Sequence, residues 1–385
     1  MSGIIEEYQR KFALFFGAKH AFAFWKGRVA LYALLRALDV GEGDEVILPG
    51  YTCVMDVNPI KYVGAKPVYV DIEPDTFNVN VSLLKEKITN KTKVIIAQHT
   101  YGYPCEMDTI MNIAQSTGIS VIEDCCLALG SKYKGKVVGT FGRAGYFSFQ
   151  WNKPYTTGLG GMVITNERDL AERIESLQAV EMCLPSGREV FMLWAQLIIY
   201  RFFVYPGTTA FAQNLFRYLT RKGVVMGSSS TSEYEPVKAD DFFKGTSAIQ
   251  ARSGIRQLGK MEENISHRIK MAQLYDELLM SRGWRNREYN RDVLEPVMVR
   301  YPVRITEKQK ALDQAAKAGI ELGSWFECPL HPIETPLASY DYKVGMCPEA
   351  EKASIQVVNL PLHPRANEKT VERTVEFITG FTQAF

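Results

Sequence analysis

Little in this 385-residue chain points to a metal, a disulfide framework, a polyanion or a bilayer. Its seven cysteines (Cys53, Cys105, Cys125, Cys126, Cys183, Cys328 and Cys347) are scattered, odd in number and form no C-x-x-C pair. With five histidines in all, no zinc spacing emerges and no metal is expected. Cys125 and Cys126 are adjacent, which is poor geometry for a bond to each other. Charge of one sign is equally scarce. The 45 Lys and Arg against 43 Asp and Glu leave a formal net charge of +2, too weak a field to draw in nucleic acid. The opening Met-Ser-Gly-Ile-Ile-Glu-Glu-Tyr lacks the basic and then apolar pattern of a secretory signal. Scattered thiols then read as a reduced, cytoplasmic setting. Long apolar runs are missing too. The most apolar window, Val190–Pro206, is interrupted by Gln196 and Arg201 and is marginal for a bilayer span, which takes about 20 residues.

What is present is an ordinary globular composition, 46% hydrophobic and 23% charged, with length for two or three domains at roughly 150 residues each. From Gly27 to about 178, helical and strand patterns alternate. Helices are expected at Gly27–Leu38, Cys53–Tyr62, Ser82–Ile88, Met107–Gln115 and Glu167–Leu177. Strands are expected at Glu45–Pro49, Lys66–Val70, Lys93–Ala97, Ser120–Glu123, Tyr146–Phe149 and Met162–Thr165. Such alternation argues for an α/β domain of mostly parallel strands with crossover helices. The stretch from about 184 to 240 breaks the rhythm with apolar Val190–Pro206 and amphipathic Phe211–Leu219. One long helical pattern, Ser247 to about Leu279, then connects to a C-terminal α+β part. The domains are placed at 1–250 and 251–385.

Three features describe one site. Asp124 ends a strand, and ligands of open α/β sheets bind at the carboxyl ends of strands. Phe147-Ser148-Phe149-Gln150-Trp151-Asn152-Lys153 puts a hydroxyl and an amine five residues apart after the next strand, ahead of the turn Gly158-Leu159-Gly160-Gly161. Lys26-Gly27-Arg28 opens a helix, whose amides and dipole suit a phosphate. A lysine for a Schiff base, a carboxylate for a ring nitrogen and an anion cradle are what pyridoxal 5′-phosphate (PLP) needs. Singly, each has a plainer reading: a solvated lysine, a turn aspartate, a flexible loop.

Together the residues resemble the DegT/DnrJ/EryC1/StrS sugar aminotransferases, which are PLP enzymes of fold type I. The resemblance runs through Gly41-Glu42-Gly43-Asp44-Glu45-Val46-Ile47, Gly64-Ala65-Lys66-Pro67-Val68, His99-Thr100-Tyr101-Gly102 and Val121-Ile122-Glu123-Asp124. It is sharpest at Phe147-Ser148-Phe149 with Lys153 and Gly160-Gly161, and returns at Cys347-Pro348-Glu349-Ala350-Glu351 and Leu360-Pro361-Leu362-His363-Pro364. It implies a large domain with a mixed, mostly parallel sheet flanked by helices, and a smaller α+β domain. It implies Lys153 as the Schiff-base lysine and acid–base group, Asp124 on the pyridine nitrogen, and Ser148, Gly27 and Arg28 around the phosphate. Cys53 falls where an aromatic ring stacks on the cofactor, so either Tyr51 supplies the stack or that contact is thinner, and Leu127 stands where the family carries Gln or His. The usual Gly-Glu-Gly-Gly turn reads Gly158-Leu159-Gly160-Gly161, and the Asn and Arg expected before Ile249-Gln250 are replaced by Phe242-Phe243-Lys244-Gly245. In the family those two residues reach into the neighbouring subunit's site, and the resemblance makes Lys244 or Lys238 the candidate substitute as phosphate cation there. His331, Gln150 and Lys244 are substrate-side candidates, and His99 reads as structural.

The implied reaction is conversion of a nucleotide-activated ketosugar to an aminosugar in polysaccharide biosynthesis. Glutamate is the donor, and the cofactor alternates between PLP and its aminated form, PMP. The implied assembly is a cytoplasmic homodimer with active sites at the interface. Two alternatives stand beside it. One is a non-catalytic, regulatory member of the same fold. The other is a membrane-surface enzyme acting on a lipid-linked sugar, docked through residues 190–222 with Arg201, Arg217, Arg221 and Lys222 flanking the apolar face.

Overall fold

The computed structural model describes residues 3–151, 153–203, 234–333 and 335–384. Its centre is a seven-stranded sheet of β1 (His20–Phe24), β2 (Glu45–Pro49), β3 (Lys66–Val70), β4 (Thr92–Gln98), β5 (Ser120–Asp124), β6 (Ala144–Ser148) and β7 (Gly161–Thr165). The order is β1-β7-β6-β5-β4-β2-β3. Pairings from β3 to β6 are parallel, and β7 runs antiparallel to both β6 and β1. The α/β expectation is borne out.

Apolar runs without alternation mark strands covered on both faces, and that is how these strands sit. Val46, Leu48, Val94, Ile96 and Ile122 pack in one cluster with Ala30, Leu31 and Leu34 of helix α2 (Gly27–Ala37). Their neighbours Ile47, Ile95 and Val121 pack in another with Ile110 and Ile113 of Met107–Thr117. The strands β2 to β6, all parallel, hold their carboxyl ends on one side of the sheet, where the site lies.

Helix α1 (Gly3–Phe16) and β1 were not expected from the sequence. The former lays Tyr8, Phe12 and Phe16 on the sheet, with Phe12 ring centroids 5.2 Å from Phe147 and 5.4 Å from Phe149. These rings clamp the residues on either side of Ser148. The expected helix at Ser82–Ile88 is one turn, Val81–Leu84, continued by a 3-10 turn at Lys85–Lys87. The long pattern after Ser247 is two helices, Ala248–Leu258 and Met261–Ser281. The first starts on a capping box of Ser247 and Gln250, a reciprocal cap, and the break falls at Gly259-Lys260. Phe211–Leu219 lies outside the described residues.

Towards the C-terminus, Tyr301–Arg304 pairs antiparallel with Val357–Leu360, accompanied by helices Lys308–Ala318, Pro348–Gln356 and Glu368–Ile378. We propose that the domain boundary lies between Ala248–Leu258 and Met261–Ser281. The former packs on α1 and the latter on Glu368–Ile378. The two parts meet where Leu330–His331 pairs in parallel with Thr52–Cys53. That small ladder matters for the site.

Candidate active site

Asp124 is the last residue of β5 and is buried. Its Oδ1 accepts from the Cys126 amide at 2.8 Å, an Asx-type turn that fixes the carboxylate at the strand end. Lys153 follows β6 in a loop whose backbone turns through a Lys153 N–H to Gln150 carbonyl bond of 2.9 Å. Its charge and that of Asp124 both act on Asp56 and on Cys126, so the two candidates share one pocket. Trp151, two residues before Lys153, is braced by Trp25, Leu159 and Leu193. Leu193 belongs to the apolar helix Gly187–Phe203, and Tyr200 of that helix sets its ring, tilted by 50°, 5.2 Å from Trp151. The apolar insert therefore supports the lysine loop.

The anion cradle is built from close approach. Helix α2 begins at Gly27, and its N-cap Lys26 lends no side-chain acceptor to the first amides. A Cβ on Gly27 would sit 2.7 Å from the Ser148 Cβ, and one on Gly161 would collide with the Lys26 carbonyl oxygen. Glycine at both positions lets the helix N-terminus, the end of β6 and the start of β7 converge. Partial positive charge at a helix start and an adjacent hydroxyl make an anion site. Gly27, Arg28 and Ser148 are brought together as expected, and Arg28 is buried with its charge felt at Cys53 and Asp56.

Of the two residues placed where a ring stacks, the structure separates one from the other. Cys53 precedes helix Val54–Tyr62 and faces Asp56, Arg28 and Lys153. Burial, then Asp56, pushes its thiol up to about 12, so it is a neutral wall residue. Tyr51 turns away into an aromatic cluster. Its hydroxyl lies 2.9 Å from that of Tyr101, and its ring is 5.9 Å from Phe77 and 5.0 Å from Phe326. Leu127 is buried among apolar side chains and offers nothing polar. Gln150 is partly buried, three residues before Lys153.

The ladder between Thr52–Cys53 and Leu330–His331 sets His331 opposite Cys53, so this substrate-side candidate does reach the site's edge. The segment before it delivers Trp325, whose ring centroid is 4.9 Å from the Lys153 Nζ. Lys308 shapes that segment by donating to the carbonyls of Ser324, Phe326 and Ser354 at 3.2, 3.1 and 2.7 Å. Burial pulls the Lys308 ammonium down to about 8. Trp325 was not among the sequence candidates. Nothing local marks it, because it arrives from a segment more than 170 positions further on.

Within one chain, Lys244 and Lys238 pair with groups away from the cradle. Lys244 is salt-bridged to Glu189 at 2.7 Å and Asp241 at 2.5 Å. Lys238 donates to the Tyr32 hydroxyl at 3.3 Å and lies over that ring. His99 is buried and structural: its Nδ1 accepts from the Cys105 amide at 3.0 Å, which leaves Nε2 to donate to Glu123 at 3.2 Å. The Glu123 carboxylate also accepts from the amides of Gly139, Phe141 and Gly142 at 2.7, 2.6 and 2.8 Å. Thus the residue beside Asp124 fixes the loop that leads into β6.

A second acid missed by sequence reasoning is Asp56, in the first turn of Val54–Tyr62. An aspartate there reads as a complement to the helix dipole, so the sequence hides its role.

The DegT/DnrJ/EryC1/StrS aminotransferase family model matches residues 3–189 and 245–379. GDP-perosamine synthase of Escherichia coli O157:H7 is 33% identical over 379 residues, covering 98% of this chain and 90% of that protein. The dTDP-3-amino-3,6-dideoxy-alpha-D-galactopyranose transaminase of Aneurinibacillus thermoaerophilus is 41% identical over 179 residues, 46% of this chain and 49% of its own length. The PLP-form of Spr1654 from Streptococcus pneumoniae superposes with a TM-score of 0.75 at 22% identity, over 99% of this chain and 91% of that one, a likeness of fold. The family match spans both parts of the chain and stops at the insert. This chain belongs to the DegT/DnrJ/EryC1/StrS aminotransferase family, PLP-dependent enzymes of sugar amination.

Proposed function

We propose that this chain moves an amino group from glutamate to a nucleotide-activated ketosugar at the Lys153–Asp124 site. The observation that carries it is the convergence of three elements on one pocket: the Asp124 strand end, the Lys153 loop, and the cradle that a Cβ on Gly27 would fill. Two nucleotide-sugar enzymes among the relatives, one GDP-linked and one dTDP-linked, support the activated-sugar reading.

Each residue then has a physical task. Bound PLP supplies an electron sink for the carbon that loses its proton. Lys153 holds the cofactor through Nζ and afterwards takes and returns the proton at the substrate carbon. Asp124 holds a proton on the ring nitrogen, with its orientation kept by the Cys126 amide. Ser148 and the amides at Gly27 and Arg28 bind the phosphate. Trp325 lies over the Lys153 Nζ and shields it from water, and His331 stands at the edge where the sugar enters. The test is a panel of GDP- and dTDP-linked ketosugars with glutamate, read as 2-oxoglutarate formed. Production with one or more of them is expected. PLP-loaded protein that makes none with the whole panel would sink the reading.

A second reading concerns the insert. Helix Gly187–Phe203 buries Leu193 but leaves Phe191 64%, Trp194 46% and Ile199 54% exposed. An apolar side of this size is commonly an interaction surface. Among the described residues no helix is long and apolar enough to cross a membrane. We propose a partner of this face, either a second copy completing a homodimer or the surface of a bilayer. Flotation with anionic vesicles separates the two: co-flotation lost in Trp194→Asp supports docking, and protein that stays at the bottom of the gradient leaves the dimer.

A further inference from the structure

A second carboxyl group enters the pocket from Val54–Tyr62. Asp56 Oδ1 accepts from the Tyr146 hydroxyl at 3.0 Å. Tyr146 is fully buried and is the register partner of Asp124 across β5 and β6, so this bond draws Asp56 towards the end of β5. The charged groups that face Asp56 are Asp124, Lys153 and Arg28, and its titratable neutral neighbours are Tyr146, Cys53 and Cys126. Burial, then Asp124, holds the Tyr146 phenol well above its ordinary range, and it acts as a neutral donor. The pocket therefore holds two acids against the Lys153 amine.

We propose that Asp56 is a third ionisable member of the site, a positioning carboxyl whose charge sets the proton balance around Lys153 and Asp124. It rests on the assignment of this pocket to PLP. Burial, followed by repulsion from Asp124, pushes Asp56 up to about 8, against the pull of Lys153, Tyr146 and Arg28. The proton bound near neutral pH spares the pocket a second anion. Its loss adds negative charge beside Lys153, and that charge retains protons on the lysine side of a bound cofactor.

The sign follows for the apoprotein. The folded carboxyl keeps a proton that the unfolded chain has already lost between about pH 4 and pH 8, so stability falls as pH rises through that window. Asp56→Asn carries no such charge and flattens the fall.

The experiment titrates wild type, Asp56→Asn and Tyr146→Phe from pH 5 to 10. It reads apoprotein melting temperature and the visible absorbance of bound PLP. In Asp56→Asn the absorbance titration is expected to follow wild type below about pH 8, where Asp56 is neutral, and to lie lower above it by up to about one pH unit, the scale of losing one nearby opposite charge. Tyr146→Phe withdraws the donor that favours ionised Asp56, so it moves the titration down by less. That variant decides the matter even where Asp56→Asn fails to fold. PLP uptake with titrations that superimpose on wild type in both readouts overturns the role of Asp56 alone. Wild-type protein that takes up no PLP overturns the cofactor assignment and this inference together.

Discussion

Lys153→Ala is expected to abolish sugar amination, with turnover lower by at least about a thousand-fold, and to strip the protein of its visible cofactor absorbance. General acid–base catalysis by a placed side chain is worth about 10²–10⁴ in rate, and this lysine is read as both cofactor anchor and proton carrier. The fold should survive. Lys153 makes its turn with Gln150 through the backbone, and the loop is braced by Trp151 against Trp25, Leu159 and Leu193, none of which an alanine disturbs. Circular dichroism and melting temperature unchanged beside lost turnover is the expected pair of results. The same variant addresses the non-catalytic alternative. A regulatory protein would show no turnover to lose, and a variant equally yellow and equally active would refute the assignment of Lys153.

The second large effect is on stability. Glu123 is fully buried, and its two oxygens are shared among three backbone amides and the His99 Nε2. Glu123→Ala leaves four donors without their acceptor, two of them buried and two partly buried. Removing one partner from such a network costs about 3–5 kcal/mol, and each orphaned donor alone costs about 1–3. Glu123→Gln is the sharper probe. Its amide restores one acceptor but points a second donor at the others, so it should destabilise too, by less than alanine. Because the bonded loop feeds β6, both variants should also weaken PLP binding although Glu123 does not line the pocket. Chemical denaturation and PLP titration check this. A melting temperature within about 1 °C of wild type for Glu123→Ala, no more than the shift from about 1 kcal/mol in a chain of this length, would refute it.

Much of the sheet was legible because its strands are short apolar runs between turn residues. Glu45–Pro49 and Lys66–Val70 match the expectation to the residue. Lys153, Asp124, Ser148 and Gly27 were legible for another reason: their chemistry demands residue types that stand in order along adjoining elements. Less legible was anything whose meaning depends on a distant partner. The His20–Phe24 strand, HAFAF, has alanine at two of its five positions and is recruited to the sheet through antiparallel pairing with β7. Tyr51 and Cys53 lie two positions apart, and sequence could not say which faces the cofactor. Hydrogen bonding to Tyr101 and packing on Phe326 take Tyr51 away.

The balanced charge of the sequence suits the proposed phosphate site, since placed amides and a hydroxyl need no basic surface. By itself the sequence determined the α/β alternation, which follows from local pattern, and it set out Lys153, Asp124 and Gly27 as residue types that suit a cofactor and its phosphate. Tertiary structure decided the rest. It paired Lys244 with Glu189, set Trp325 over Lys153, and brought His331 beside Cys53. It also carried Asp56 to Asp124 through the Tyr146 hydroxyl. Burial and charge at that point depend on which side chains meet from separate elements, and no local pattern records it.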